Sequence, residues 1–196
     1  MNLSEISERL SKTLTAELDY DDDKKEIVAY GIETLILSLV GFLAILLAAF
    51  LFNAVIPTVI AALSGGLLRK VSGGAHFNNP LKCLAFGTIV YCCLGVMAKE
   101  IVKYNLYSTG IYLAILVLAF VSVAILAPVD SEAKPIHSAI FKRKLKIASI
   151  GFVILALAIV LLSDNLLLNT SVVLGVAYQA LTLLPVFNKK KKEGDL

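Results

Sequence analysis

A run of uncharged, mostly apolar residues from Thr34 to Phe52 constrains the fold more than any other feature of the chain. As an α-helix rising about 1.5 Å per residue, this run would cross the roughly 30 Å hydrocarbon core of a bilayer. Only 17% of the residues are charged, against about 25% in soluble domains. We therefore predict an all-α, polytopic membrane protein. We place six apolar segments near 27–52, 54–68, 82–98, 111–127, 147–163 and 166–187.

Six apolar segments do not by themselves fix the number of full membrane crossings. The first and last segments are long enough to cross the bilayer. The middle four are only about 15 to 17 residues long, at or below the usual lower limit for a transmembrane helix. The second segment carries Pro57 and ends in Ser64-Gly65-Gly66, so it could tilt, break or re-enter. Six crossings, or four full spans with two partial ones, are both compatible with the sequence.

The segments at the two ends differ from the membrane helices. Apolar residues recur every three or four positions within 1–20, which predicts an amphipathic helix. It would either rest on the membrane surface or pack against the rest of the protein. Residues 21–26 read as a solvated connector, and 188–196 as a basic cytoplasmic tail. We interpret the whole chain, 1–196, as one membrane-embedded domain whose membrane helices lie within 27–187.

Positive charge predicts the orientation of the chain. With six crossings and a cytoplasmic N-terminus, all of the 18 Lys and Arg residues except Lys99 and Lys103 fall on the inside. This bias follows the positive-inside rule for bacterial and other membranes. Because the basic residues cluster beside apolar runs, we expect no nucleic-acid partner. Three cysteines without a CxxC pair and only two histidines predict neither a disulfide framework nor a metal or other cofactor.

The stretch RKVSGGAHFNNPLKC, from Arg69 to Cys83, interrupts the apolar segments at the predicted cytoplasmic face. Asn79-Pro80 predicts a helix start, because asparagine is a favoured N-cap and proline suits the first helical position. Cys83 would then lie in the first turn of the third membrane helix. The positive end of the helix dipole favours a thiolate there.

His76, seven residues before Cys83, could act as a base for the thiol. Gly73 and Gly74 would allow a sharp turn and a close approach of another chain. A cysteine and a histidine form the minimum set for nucleophilic acyl transfer, with backbone N–H groups holding the oxyanion. A packed structural turn between two helices explains the same residues, and the spacing alone favours that interpretation.

Other polar residues admit simpler interpretations. Glu33 would pair with Arg69, orient His76 or reach interfacial water. Gln179 is predicted to make an interhelical hydrogen bond. Cys92 and Cys93 are expected to be small core or lipid-facing residues, and His137 to be solvated. Two other function classes stay open at this point: a small transporter or channel that uses Glu33, and a structural membrane subunit.

The segment LLRKVSGGAHFNNPLKC resembles the accessory gene regulator protein B (AgrB) family of bacterial quorum-sensing systems. LAPVDSEAKPI, from Leu126 to Ile136, resembles a second element of that family, and YGIETLILSL, from Tyr30 to Leu39, resembles its first membrane segment. The resembling elements occur in the same order as in the family and together cover most of the chain. The extreme termini do not share the resemblance.

The resemblance implies a membrane cysteine endopeptidase that processes a small precursor peptide, AgrD. Cys83 corresponds to the nucleophile and His76 to its base. The enzyme would remove the acidic C-terminal tail of the precursor and hold the upstream part as a thioester, which an internal cysteine of the peptide converts into a cyclic thiolactone. A homodimer in membrane lipid is implied as well. Candidate substrate contacts are Arg69, Lys70, Gly73, Gly74, Glu33, Lys134, Lys142 and Arg143.

Overall fold

The computed structural model of the protein describes residues 9, 13, 22–75, 79–129 and 138–188. Regular structure in these ranges is helical, apart from one isolated bridge between Gly73 and Val129. The predicted all-α class is therefore confirmed. Most of the predicted amphipathic helix at 1–20 lies outside the described residues. Arg9 and Thr13 are both helical, and the Thr13 hydroxyl donates to the Arg9 carbonyl at 3.0 Å.

Each of the six predicted apolar segments forms a helix. The helices are α1 (Asp22–Leu51), α2 (Val55–Ser72), α3 (Pro80–Lys103), α4 (Thr109–Leu126), α5 (Ala139–Leu162) and α6 (Leu166–Thr182). The first five are long and apolar enough to cross a membrane, as expected of a multi-pass membrane protein. In the second segment, α2 continues without a break through Pro57, because that proline lies in the first turn, where its missing N–H is not needed.

Three predicted lengths were wrong. α3 and α5 each have 24 residues, since α3 continues five residues beyond the predicted apolar segment and α5 begins eight residues before it. The last segment, expected to be a comfortable span, forms a helix of only 17 residues. The chain leaves the helix at Leu183 and turns through Pro185. A proline cannot continue the hydrogen-bond ladder and disfavours a helical residue before it, which explains this early end.

α6 lies at the centre of the helix packing, in contact with α2, α3, α4 and α5. Ten of its 17 residues are buried, and Val172, Val173 and Val176 join the hydrophobic core made with α4 and α5. α1 packs on α2 and α3 at the edge, and only 6% of its most apolar window is buried within the protein. The shortest apolar helix is thus the most enclosed, and the most apolar face is left for lipid.

Small residues allow α2 and α6 to approach closely. A methyl group added to Gly175 would clash with the Ala61 carbonyl and the Ser64 hydroxyl, and one added to Gly65 would lie 2.8 Å from the Gly175 carbonyl oxygen. Close backbone contact through small residues is the usual means of helix association in membranes, where lipid is as apolar as the protein.

The loops divide between the two ends of the bundle. Short turns join α1 to α2 and α3 to α4 at one end, where Asn53 and Asn105 adopt positive φ angles of 49° and 53°. Lys99 caps this end by donating to the Phe52 carbonyl at 3.3 Å. The glycine loop after α2, the start of the segment after α4 and the end of α6 meet at the other end, which holds the described parts of both motifs that resemble the family.

Candidate active site

The start of α3 has the form predicted from Asn79-Pro80. The Asn79 side-chain oxygen accepts from the backbone N–H of Leu81 at 2.9 Å and of Lys82 at 3.4 Å, and Pro80 occupies the first helical position. The Cys83 N–H donates to the Asn79 carbonyl at 3.1 Å, which places this cysteine in the first turn. Its side chain is partly exposed and its thiol is free. A thiol at this position faces the positive end of the α3 dipole.

The glycine loop before α3 adopts a backbone conformation that suits only glycine. Gly73 has φ 69° and Gly74 has φ 134°. A methyl group on Gly73 would clash with the Val129 carbonyl, and one on Gly74 would lie 2.8 Å from the Thr182 hydroxyl. The sharp turn predicted from the sequence is therefore present, and the close approach is made by other segments of the same chain. The chain that approaches is Val129 on one side and the end of α6 on the other.

α6 anchors the glycine loop through Gln179 and Thr182. The fully buried Gln179 amide donates to the Gly73 carbonyl at 2.7 Å and to the Ser72 hydroxyl at 3.0 Å. The Ala75 N–H donates to the Thr182 carbonyl at 3.3 Å. The predicted interhelical hydrogen bond of Gln179 is thus confirmed, and its partner is the motif itself. These bonds hold the chain up to Ala75, the residue before His76.

The second family-like element pairs with the first. The Val129 N–H donates to the Ser72 carbonyl at 2.9 Å, and Val129 forms the isolated parallel bridge with Gly73. The peptide bond before Pro128 is cis. The structure therefore joins two motifs that lie more than fifty residues apart in the sequence. The remainder of the second element, with Lys134 and His137, lies outside the described residues.

Arg69 links the last turn of α2 to the loop. Its guanidinium donates to the Ala75 carbonyl. Glu33 is partly buried on α1, and the expected ion pair with Arg69 does not form between these two described residues. Arg69 is held by the loop backbone, which leaves Glu33 without that partner. His76 lies outside the described residues, so the alternative role of Glu33 in orienting it stays a prediction.

Two tyrosines that the sequence analysis did not single out pack against each other between α3 and α6. Tyr91 on α3 and Tyr178 on α6 make an edge-to-face pair, with ring centroids 5.6 Å apart and an interplanar angle of 81°. The only sequence signal for this cluster was that Tyr91 follows Cys83 by about two helical turns and that Tyr178 precedes Gln179.

The other candidate residues are distributed around this end of the bundle. Lys70 is exposed in the last turn of α2, and Lys142 and Arg143 are exposed in the first turn of α5. Cys92 is buried and Cys93 is exposed on the apolar surface of α3, as expected for core and lipid-facing residues. Among the described cysteines, Cys83 is thus the one at a helix start.

These features define a multi-pass membrane protein whose candidate nucleophile lies at a capped helix start beside an anchored glycine loop. The chain belongs to the accessory gene regulator B family, whose sequence model matches residues 7–183. Membership in this family gives it a role in processing a quorum-sensing peptide, with a peptide of the AgrD type as its partner.

Relatives support the assignment over nearly the full length. An AgrB-like protein of Clostridium perfringens strain SM101 is 32% identical, with 95% of this chain and 93% of the relative covered. A second from Clostridium perfringens strain 13 is 30% identical over the same shares. An AgrB-like protein of Listeria innocua is 27% identical, and the match covers 95% of this chain and 91% of that relative. No solved structure matches the chain significantly.

Proposed function

We propose that this protein is a cysteine endopeptidase that cuts the C-terminal tail from an AgrD-like precursor and holds the upstream peptide as a thioester on Cys83. The observation that carries the proposal is the placement of Cys83 in the Asn79-capped first turn of α3, next to the anchored glycine loop. The helix dipole favours the thiolate, which is the attacking form of cysteine.

The proposed chemistry has two acyl transfers. His76 takes the thiol proton, and the Cys83 sulfur attacks the scissile carbonyl carbon. The C–N bond then breaks, the new amine takes the proton from His76, and the tail leaves with a free N-terminus. His76 next takes the proton of an internal cysteine thiol of the peptide, and that sulfur attacks the thioester carbonyl carbon. The bond from the carbonyl to the Cys83 sulfur breaks, which forms the cyclic thiolactone and returns the Cys83 thiolate beside the protonated His76. The two transfers need no oxidant, reductant or further reactant.

The charges at this end of the bundle support an acidic tail as the leaving segment. Lys70, Lys142 and Arg143 expose cationic side chains at the same end of the bundle as Cys83. Such a surface would attract an acidic peptide and orient it as it arrives. Arg69 is committed to the Ala75 carbonyl, so we propose that it shapes the loop and adds positive potential near the thiol. Lys134 and Glu33 are further candidate contacts.

We place the site at the cytoplasmic face of the cell membrane. The end that holds the two motifs also holds Lys70, Lys82 and the basic start of α5, whereas Lys99 and Lys103 lie at the other end. This asymmetry agrees with the positive-inside rule. A precursor with an amphipathic leader would lie on that surface, and the membrane boundary would limit the water that competes with the peptide thiol.

The test is cleavage of the precursor encoded beside the gene, co-expressed with the full-length protein. Cys83→Ala and His76→Ala should each abolish cleavage while the protein still reaches the membrane. Cys93→Ala, which removes a thiol from the same helix, is the matched control and should process the precursor normally. Normal processing by Cys83→Ala would refute the proposal.

A further inference from the structure

A cavity of about 400 Å³ lies at the end of the bundle opposite the glycine loop. The turn between α1 and α2, the end of α3 and the start of α6 together form its walls. Most of the lining side chains are apolar, and the lining residues are Phe50, Asn53, Val55, Ile56, Pro57, Lys99 and Leu167. Cavities that hold small ligands have volumes of roughly 300–1,000 Å³ and combine such apolar walls with a few polar groups.

Lys99 is the charged group of this cavity, and no described carboxylate pairs with it. Its partly buried ammonium group donates to the Phe52 carbonyl at 3.3 Å. An ammonium group has three N–H donors, so two of them are left for another acceptor. Lys103, one turn further along α3, pairs instead with Glu100 at 3.5 Å and lies 5.0 Å from the centre of the Tyr104 ring. The cavity therefore presents a positive charge that lacks a negative partner within the described ranges.

The position of the cavity along the helices is that of a membrane boundary. α1 ends at Leu51 and α2 begins at Val55, so the chain turns beside the cavity. Lys99 lies four residues before the end of α3, a rise of roughly 6 Å. Lysine side chains near the ends of membrane helices extend their ammonium groups to the interface, where the phosphates of phospholipids lie.

The walls of the cavity reach the surface that faces lipid. Ile56 is 66% exposed and Phe50 is 71% exposed, although both side chains are large and apolar. An acyl chain can therefore enter from the bilayer without crossing the packed core. A ligand that matches both parts of the cavity carries an anionic head beside Lys99 and an apolar chain along these walls.

We propose that this cavity binds an anionic phospholipid from the membrane leaflet on the side away from the glycine loop. The lipid phosphate accepts hydrogen bonds from the Lys99 ammonium group, and part of an acyl chain packs against Val55, Ile56 and Leu167. A zwitterionic phospholipid binds less tightly, because its own cation competes for the phosphate. The site is remote from Cys83, and the inference does not depend on the proposed function.

The experiment measures lipid bound to full-length protein by native mass spectrometry in detergent, with phosphatidylglycerol or phosphatidylcholine added. The unaltered protein should bind phosphatidylglycerol more tightly. Lys99→Gln should weaken phosphatidylglycerol binding roughly five-fold, the contribution of one basic side chain near anionic lipid, and remove the preference. Glutamine keeps an N–H donor for the Phe52 carbonyl, so the turn is retained. Lys99→Arg should bind nearly as the unaltered protein does.

Two further variants separate the site from general effects of charge and of apolar surface. Lys103→Gln is the matched control, because it removes a lysine from the same end of α3 that already has a carboxylate partner, and it should bind both lipids normally. Ile56→Trp should weaken the binding of both lipids, because the larger ring occupies space in the cavity while Lys99 remains.

Each other outcome overturns the inference. Equal binding of the two lipids by the unaltered protein would mean that the groove is covered by lipid without selection. Equal losses in Lys99→Gln and Lys103→Gln would reduce the effect to overall charge. Displacement of bound phosphatidylglycerol by millimolar inorganic phosphate would indicate an ion site without a place for the chain. A protein dimer that Ile56→Trp dissociates would mean that a second copy of the chain covers the groove.

Discussion

The side-chain amide of Gln179 donates to the carbonyl oxygen of Gly73 at 2.7 Å, across 106 positions of the sequence. Through this bond, the last apolar helix holds the loop that leads to His76 and the start of α3. The same amide donates to the Ser72 hydroxyl at 3.0 Å. One buried side chain therefore binds both the last residue of α2 and the first residue of the loop that follows it. The shortest helix of the bundle is thus the one that organises the candidate active site.

Replacing Gln179 should loosen the glycine loop. In Gln179→Leu the Gly73 carbonyl and the Ser72 hydroxyl lose a buried donor, at a cost of about 1–3 kcal/mol in the free energy of unfolding. We expect cleavage to fall by up to about 100-fold, because small displacements of catalytic groups are costly. Thermal denaturation in detergent and the rate of precursor cleavage measure the two effects. A variant that is less stable but cleaves normally would show that the loop does not depend on this anchor.

Gly73 and Gly74 should be less replaceable than helical glycines that face open space. Gly73→Ala forces a side chain into φ 69° and against the Val129 carbonyl, so we expect loss of activity and of at least about 1 kcal/mol of stability. Gly66→Ala is the matched control, since it lies within α2 and a methyl group there meets nothing within 4 Å. It should be neutral or slightly stabilising, as alanine favours helices. Equal effects of the two substitutions on cleavage would contradict this account.

Removing the cap of α3 should affect the candidate nucleophile more than removing another cap. Asn79→Ala should cost about 1 kcal/mol and fray the turn that carries Cys83. Asn165→Ala removes a comparable cap, which accepts from the Leu168 N–H at 3.0 Å at the far end of α6. We expect similar losses of Tm but a drop in cleavage only for Asn79→Ala. Asn79→Asp, which keeps the cap, should restore most of the activity.

Thiol labelling can test the orientation of the site. A membrane-impermeant maleimide should label Cys83, which lies at a helix start and is partly exposed. It should spare Cys92, which is buried, and Cys93, which lies on the apolar surface of α3. In single-cysteine variants, we expect labelling of Cys83 in inside-out vesicles and not in intact cells. Labelling of Cys83 from outside intact cells would place the site at the opposite face.

A larger side chain at Gly175 should prevent the close packing of α6 against α2. Gly175→Val would drive a branched side chain into Ala61 and Ser64, where even a methyl group clashes. Overpacking of this kind costs about 1–3 kcal/mol or more. Gly151→Val on α5, where a methyl group meets nothing within 4 Å, is the control. We expect a large loss of folded protein, measured by size-exclusion chromatography, for the first substitution only.

Local signals were sufficient for the helices and for the start of α3. Long apolar runs predicted all six helices, and Asn79-Pro80 predicted the position of Cys83, because a cap acts within its own first turn. The lengths of α3, α5 and α6 were wrong, since hydropathy does not detect the polar turns that extend a helix or the proline that ends one.

The sequence by itself determined the class of protein, the order of its helices and the first-turn position of Cys83. Only the tertiary structure decided that Gly73 meets Val129 and Gln179. The physical reason is that lipid and protein core are both apolar, so hydropathy cannot indicate which face of a membrane helix turns inward. Close packing at Gly65 and Gly175 fixes that rotation, and the site follows from it.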